Sequence, residues 1–240
     1  HMALGHVDPA LEAIDEAVRV AGPDTKLTFR LERAGLLSQA KRHRQALDEC
    51  QALLNEYNQS GDVQKIRLIL SNIHSNVRDY DKAEEQLLLI LKDDPDNVIA
   101  NNDLGYLWAD QNKKLDEAEA RIRRAVELDH RQRRRFPRVE MDDDRDNAYY
   151  VDSLGWVLFR KGDWQGARRE LEKAKSLPRG DDDPVVWDHL GDVYFRLKDK
   201  DKAEQAWRKA VQLYESGGRR RPDERYEEIK EKLQTLSRDR

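Results

Sequence analysis

The sequence predicts an all-α protein built from stacked pairs of helices. Alanines recur at positions 10, 46, 83, 118, 167 and 203, which gives steps of 36, 37, 35, 49 and 36 residues. Around them, apolar residues recur at intervals of three and four, the spacing that places side chains on one face of a helix. Charged residues make up 38% of the chain and hydrophobic residues another 38%, a balance typical of thin helical arrays with much surface.

The pattern is clearest in the segment from Trp187 to Ala210. Its small and apolar residues fall on one face of each of two predicted helices, which are separated by a turn at residues 198–200. Glycine and alanine at these positions would let the two helices cross closely. One such pair cannot bury its apolar face alone, so neighbouring pairs must stack. The residues that carry the pattern are Trp187, Leu190, Gly191, Tyr194, Ala203, Trp207 and Ala210.

Copies of this frame precede the segment along the chain. Leu154-Gly155, Leu104-Gly105 and Leu70-Ser71 each open a copy, and Ala34 begins a weaker one. The stretch at 9–20 matches the second helix of a truncated unit. We expect helices near residues 9–20, 26–40, 43–57, 62–77, 80–92, 97–111, 115–128, 147–160, 164–176, 184–197, 200–215 and 222–237.

The one long step, between Ala118 and Ala167, contains an insert at about residues 130–147. The insert is first basic and then acidic, and Pro137 together with the lack of periodicity predicts a charged loop. Such a loop could be solvated and self-neutralising, or it could contact an acidic partner or cover a neighbouring surface.

The C-terminal segment at 222–238 predicts a capping helix. Tyr226, Ile229, Leu233 and Leu236 follow one another at intervals of three and four, and Pro222 suits a first helical turn. A helix here would shield the apolar face of the last repeat.

The recurrent frame resembles the tetratricopeptide repeat, in the form found in bacterial proteins. The resemblance implies a right-handed α–α superhelix, a solenoid of about five helix pairs with a truncated N-terminal unit and the capping helix. It implies a single domain over residues 1–240. The implied repeats lie at about 27–60, 64–97, 98–130, 148–180 and 184–216.

The resemblance also implies a protein-interaction scaffold in which the first helix of each pair lines a concave, ligand-binding groove. The acidic residues in the C-terminal half of that groove, with aromatic and arginine neighbours, predict a protein or peptide partner that carries basic and apolar anchor residues. For Trp156, packing between helices is an equal alternative. The groove residues assigned by motif are Asn72, Asn76, Asn102, Tyr106, Tyr149, Asp152, Trp156, Arg160, Asp188, Asp192 and Arg196.

No catalytic residues, cofactor site or metal site is assigned, so the chain is not expected to be an enzyme. P-loop, dinucleotide-binding, H-E-x-x-H and G-x-S-x-G motifs are absent from the sequence. Cys50 falls on an apolar helix face and is expected to be a buried thiol. The acidic run at 142–144 does not match the spacing of a calcium-binding loop.

Three other hypotheses stay open from the sequence. The basic clusters at 131–138 and 219–221 would suit an RNA-binding helical repeat, although the net charge of −4 disfavours nucleic acid. The chain could also be the docking or regulatory part of a larger enzyme, or it could associate with itself end to end.

The sequence leaves the location in the cell open. No apolar stretch approaches the ~20 residues that a membrane-spanning helix needs. The cytoplasm is the default expectation. Because His1-Met2 is typical of an expression remnant, a leader or anchor could have been removed, and the cell envelope is then the alternative.

Overall fold

The computed structural model describes residues 7–135, 146–217 and 224–238, and the regular secondary structure within these ranges is all helical. The predicted all-α class is confirmed. The helices are α1 (Val7–Val20), α2 (Pro23–Gln39), α3 (His43–Glu56), α4 (Ser60–Asn76), α5 (Tyr80–Asp93), α6 (Val98–Asp110), α7 (Leu115–Arg135), α8 (Ala148–Lys161), α9 (Trp164–Ser176), α10 (Pro184–Arg196), α11 (Lys200–Glu215) and α12 (Glu224–Arg238).

The chain forms two compact units, and the first covers residues 1–100. In this unit each of the helices α1 to α5 packs against the next, and α2 also contacts α4. Ala34, Ala46 and Leu53 are fully buried in its core, as the repeat frame predicts. Cys50 is buried among them, and this burial, with a smaller contribution from Glu49, raises the pKa of the thiol to about 12. The thiol therefore stays protonated near neutral pH.

The second unit covers residues 101–240 and contains most of α6 together with α7 to α12. Helices α8 and α9 form one closely packed pair, α10 and α11 form another, and α8 also contacts α10. Glycine is needed at the crossings. A Cβ on Gly191 would lie 2.3 Å from Trp207 Cδ1, and one on Gly155 would lie 2.5 Å from Leu171 Cγ. These distances confirm the prediction that small residues allow close crossing.

Helix α7 continues to Arg135, so the predicted start of a loop at residue 130 is wrong. Its last turns are stabilised by ion pairs four residues apart, Glu127 with Arg131 and Asp129 with Arg133. An acidic residue four positions before a basic one supports a helix, and basic residues near its C-terminus interact favourably with the helix dipole. Residues 136–145, the rest of the predicted loop apart from 146 and 147, lie outside the described residues.

Helix α12 follows the last repeat, as the sequence predicts, and it begins in the described part of the chain at Glu224. Ile229 and Leu236 are buried, while Tyr226 and Leu233 pack against the same cluster with part of their surface exposed. Pro222 and the basic cluster at 219–221 lie outside the described residues. Within the described ranges, none of the helices is both long enough and apolar enough to span a bilayer.

Candidate functional site

The predicted groove residues hold fixed positions relative to the small residue of each first helix. These small residues are Ser71 on α4, Gly105 on α6, Gly155 on α8 and Gly191 on α10. Positions three before, one after and five after the small residue are four apart, so they share one helix face. Asn102, Asp152 and Asp188 lie three before; Asn72, Tyr106, Trp156 and Asp192 lie one after; Asn76, Arg160 and Arg196 lie five after; and Tyr149 lies six before Gly155.

In the first unit, the predicted residues on α4 are exposed. Ser71 Oγ donates a hydrogen bond of 3.0 Å to the backbone oxygen of Ala83, which fixes α4 against α5. Asn72 and Asn76 are both exposed on α4, and Asn76 Nδ2 donates to Ser38 Oγ at 3.1 Å. Both amide side chains are thus accessible at the surface of the first unit.

In the second unit, Trp156 lies inside an aromatic stack. Its indole is 6% exposed and stacks on the His189 ring, with 4.3 Å between centroids and 13° between planes. The Phe159 ring stacks at 5.2 Å, and the half-buried Arg160 guanidinium lies 5.5 Å from the indole centroid. These contacts agree with the packing alternative for Trp156. Within the described ranges, the buried Trp156 Nε1 atom has no hydrogen-bond partner.

His189, which the sequence analysis did not select, connects three helices. Its ring is fully buried on α10, and its Nδ1 lies 2.9 Å from Asp152 Oδ1 on α8. Its Nε2 lies 3.2 Å from Arg225 Nη1 on α12. A neutral ring with the proton on Nδ1 satisfies both contacts, because Nδ1–H then donates to the carboxylate and Nε2 accepts from the guanidinium.

Two basic residues of α12 bind the predicted acidic residues of α10. Lys232 Nζ donates to Asp188 Oδ1 at 2.8 Å and lies 2.6 Å from Asp192 Oδ1. Arg225 Nη1 donates to Asp188 Oδ2 at 3.2 Å, and Arg225 Nη2 donates to the Tyr106 hydroxyl on α6 at 3.1 Å. Asp188 is only 1% exposed. The structure therefore brings Tyr106, Asp188 and Asp192 together around cations that the sequence analysis missed.

The electrostatics of this cluster depend on burial and on neighbouring charges. Burial and then the adjacent carboxylate of Asp188 raise the pKa of Asp192, while Lys232 opposes the rise. Burial alone would lower the pKa of Lys232, but Asp188 and Asp192 reverse that effect, so the net shift is upward. An adjacent cation favours the charged form of a carboxylate. Lys232 supplies it.

A second polar cluster joins α6 and α8. Asn102 is fully buried, and its Nδ2 donates to Asp103 Oδ1 at 3.2 Å. The hydroxyl of Tyr149 donates to the same oxygen at 3.1 Å. Burial raises the pKa of Asp103 to about 6, against the lowering effect of these two hydrogen bonds. The Tyr149 ring itself is 43% exposed.

The predicted residues thus separate into two sets. Asn102, Asp152, Trp156 and Asp188 are buried, and Tyr106, Arg160 and Asp192 are half-buried. Asn72, Asn76, Tyr149 and Arg196 are exposed. Among the described residues, no group of three or more histidine, cysteine, aspartate or glutamate side chains could hold a metal ion. The acidic run at 142–144 lies outside those residues.

Fold and site together define a helical-repeat protein. The first helix of each pair carries the polar and aromatic side chains of the candidate site. Residues 70–132 and 184–216 each match a family model described as tetratricopeptide repeat. These two stretches are tetratricopeptide repeats.

A relative in Pseudomonas aeruginosa, "TPR repeat-containing protein PA4667", is 29% identical over 191 residues. The match covers 80% of this chain and 29% of the relative, so the chain spans less than a third of the length of that protein.

Several solved structures share the fold. A thermophilic TPR protein of Thermus thermophilus, TTC0263, superposes with a TM-score of 0.61 at 17% identity, over 88% of this chain and 98% of its own. PilW, a type IV pilus biogenesis factor, gives 0.60 at 16% identity, over 81% and 80%. BtubC (BKLC) from P. vanneervenii gives 0.57 at 21%, over 93% and 95%. At these identities the likeness shows the fold alone.

Proposed function

We propose that this chain is a non-catalytic scaffold that holds segments of other proteins on the first-helix face of each of its two units. Tetratricopeptide repeats serve in general as protein-interaction modules. The finer proposal is that the bound segment carries basic side chains and apolar anchors, because the first-helix face of the second unit is acidic and aromatic.

One observation carries this proposal: Asp188 and Asp192 on α10 bind the basic side chains of a helix, α12. Beside them, Ile229 and Leu236 of the same helix pack against a cluster that includes Trp207 and Tyr214. Cations held by carboxylates give an interface its orientation and selectivity, while buried aromatic and aliphatic contacts supply most of the affinity. This face therefore has both of the features that the proposed partner requires.

The exposed members of the predicted set are the contact points that the proposal assigns to a partner. They lie on α4, where Asn72 and Asn76 are exposed, and on α8 and α10, where Tyr149 and Arg196 are exposed. Tyrosine and arginine are common at binding hot spots, and Asn76 is held in place by Ser38.

The test is affinity capture from an extract of the source organism, quantified by mass spectrometry. Two double variants remove the contact points, Asn72→Ala with Asn76→Ala and Tyr149→Ala with Arg196→Ala. Matched controls on second helices are Gln51→Ala on α3 and Gln205→Ala on α11, which replace exposed amides. We expect proteins captured by the wild type to fall about tenfold in at least one double variant and to stay unchanged in the controls. Equal recovery by all five proteins would refute the proposal.

A further inference from the structure

Helix α12 carries basic and apolar residues alternately along one face. Arg225, Ile229, Lys232 and Leu236 follow one another at intervals of four, three and four, which places all four on one stripe of the helix. This pattern is more specific than the apolar spacing of a capping helix, because two of the four residues in the stripe are cations that alternate with the aliphatic residues.

Each residue of the stripe packs against, or binds, another helix of the second unit. The two cations meet carboxylates, since Arg225 binds Asp188 and Lys232 binds both Asp188 and Asp192. The two aliphatic residues are almost fully buried, with Ile229 at 0% and Leu236 at 2% exposure. The stripe therefore uses the acidic and apolar features that the proposed function assigns to a partner.

The attachment of α12 is slight for a helix of its length. Among its 15 residues only Ile229 and Leu236 are buried, whereas ten of the 14 residues of α8 are buried. An isolated helix of about 15 residues is only marginally stable in water, so α12 depends on these few contacts. Elements with few buried apolar contacts open at free energies well below that of global unfolding.

We propose that α12 acts as an internal ligand of the acidic site on α10, which is formed by Asp188 and Asp192. A partner that binds the same site would displace α12. The partner that displaces it would be an amphipathic helix with basic residues seven positions apart and aliphatic residues four positions after each. This inference rests on the proposed function, and it adds the pattern of the partner and a mechanism of self-inhibition. The site is then open only in the fraction of molecules in which α12 has detached, which weakens the apparent affinity for any partner by that fraction.

The first test follows α12 in the unmodified chain by hydrogen exchange with mass spectrometry. We expect amides in α12 to exchange at least about tenfold faster than those in the middle of α11, because α12 opens without unfolding of the repeats. Equal protection of α12 and α11 would mean that α12 is a permanent cap.

The second test uses a fluorescein-labelled peptide with the sequence of residues 224–238 as the probe, and it measures binding by fluorescence anisotropy. The full chain with Arg225→Ala and Lys232→Ala should bind this peptide about tenfold more tightly than the wild type does, because its own α12 competes less well. The matched control is the full chain with Gln234→Ala and Thr235→Ala, two exposed positions of α12, and it should bind like the wild type. A peptide carrying Lys232→Glu should not bind.

Circular dichroism establishes that each variant is folded. If the double variant unfolds, the single variant Lys232→Gln replaces it, because it removes one charge and keeps much of the side chain. We then expect tightening of about threefold. The inference is wrong if neither variant binds the peptide more tightly than the wild type.

The outcomes separate the inference from the proposed function. If α12 proves fixed and the peptide does not bind, but the variants at Asn72 and Asn76 or at Tyr149 and Arg196 still lose captured proteins, then only the self-inhibition is refuted. If α12 detaches and the peptide binds, but capture is equal for all variants, then the contact points assigned to an external partner are wrong.

Discussion

Helices α4 and α10 occupy the same place in their repeats, yet the same motif position has opposite surroundings in the two. The residue after the small one is Asn72 on α4 and Asp192 on α10. Asn72 is exposed, whereas Asp192 is half-buried, lies against Lys232 and accepts a hydrogen bond of 3.1 Å from Trp207 Nε1. The motif therefore determines which face a residue lies on. Elements from elsewhere in the chain decide whether that residue can reach a partner.

The largest expected effect comes from Trp156. Trp156→Ala should destabilise the second unit by about 3–5 kcal/mol, because it removes a buried indole and its stack on His189. Tyr149→Ala, at an exposed position on the same helix, should cost about 1 kcal/mol through the lost hydrogen bond to Asp103. Urea unfolding gives both values. Similar losses for the two variants would contradict the separation into buried and exposed sets.

The ionic cluster provides the next comparison. Asp188→Ala leaves Arg225 and Lys232 without the carboxylate that they share. We expect a loss of about 2 kcal/mol in the free energy of unfolding, because detachment of α12 can return the two cations to water. Asn72→Ala on α4 changes an exposed amide and should stay within about 0.5 kcal/mol. Chemical denaturation measures the difference. A loss below about 1 kcal/mol for Asp188→Ala would show that the cluster contributes little to stability.

Glycines in the two units should respond to alanine with opposite signs. Gly191→Ala should cost about 1–3 kcal/mol, because the new Cβ would meet the Trp207 ring at 2.3 Å. Gly35→Ala in α2 should stabilise the first unit by up to about 1 kcal/mol. Among the described residues, no atom lies within 4 Å of its Cβ position apart from the adjacent residues and the nearby backbone of the same helix, and alanine favours a helix. Thermal denaturation followed by circular dichroism should show melting temperatures that move in opposite directions.

The smallest effect concerns pH. Burial raises the pKa of Asp103 to about 6 from its ordinary value of 3.8. The contribution of the protonated Asp103 side chain to the free energy of unfolding is therefore complete below pH 3.8, and it is lost as pH rises through about 6. Asp103→Asn should remove this dependence and stabilise the second unit by about 1–2 kcal/mol at pH 7. Urea unfolding at pH 4.5 and 7.5 measures it.

The first unit should change in the other direction. Burial lowers the pKa of His74 below its ordinary 6.5, although Asp79 opposes the shift. The contribution of neutral His74 to the free energy of unfolding is therefore complete above pH 6.5, and it is lost as pH falls through the lowered pKa. Hydrogen exchange resolved by unit, at the same two pH values, distinguishes the opposite trends. Parallel trends in the two units would contradict the assignment of these groups.

Much of the fold was predictable because its signals are local. Spacings of three and four residues gave the helices, and the recurrent glycines and alanines gave the crossings between them. The predicted end of α7 was wrong because the ion pairs of Glu127 with Arg131 and of Asp129 with Arg133 support helix beyond the point where the apolar periodicity stops. A search for opposite charges four apart would have found this extension.

The candidate site was less predictable because its decisive contacts join distant residues. Arg225 and Tyr106 are 119 positions apart, and Lys232 and Asp188 are 44 apart. The only local signal was the alternation of cations and aliphatic residues on α12. It indicates an amphipathic helix with a charged stripe, and it does not identify which carboxylates that stripe meets.

By itself, the sequence determined the helices, the close crossings at small residues and the face of each first helix, because each depends on neighbours within about one turn or one repeat. Only the tertiary structure decided that Trp156 stacks inside the second unit, that His189 links three helices and that α12 binds the acidic residues of α10. Burial and ion pairing depend on which distant side chains meet, and spacing along the chain does not contain that information.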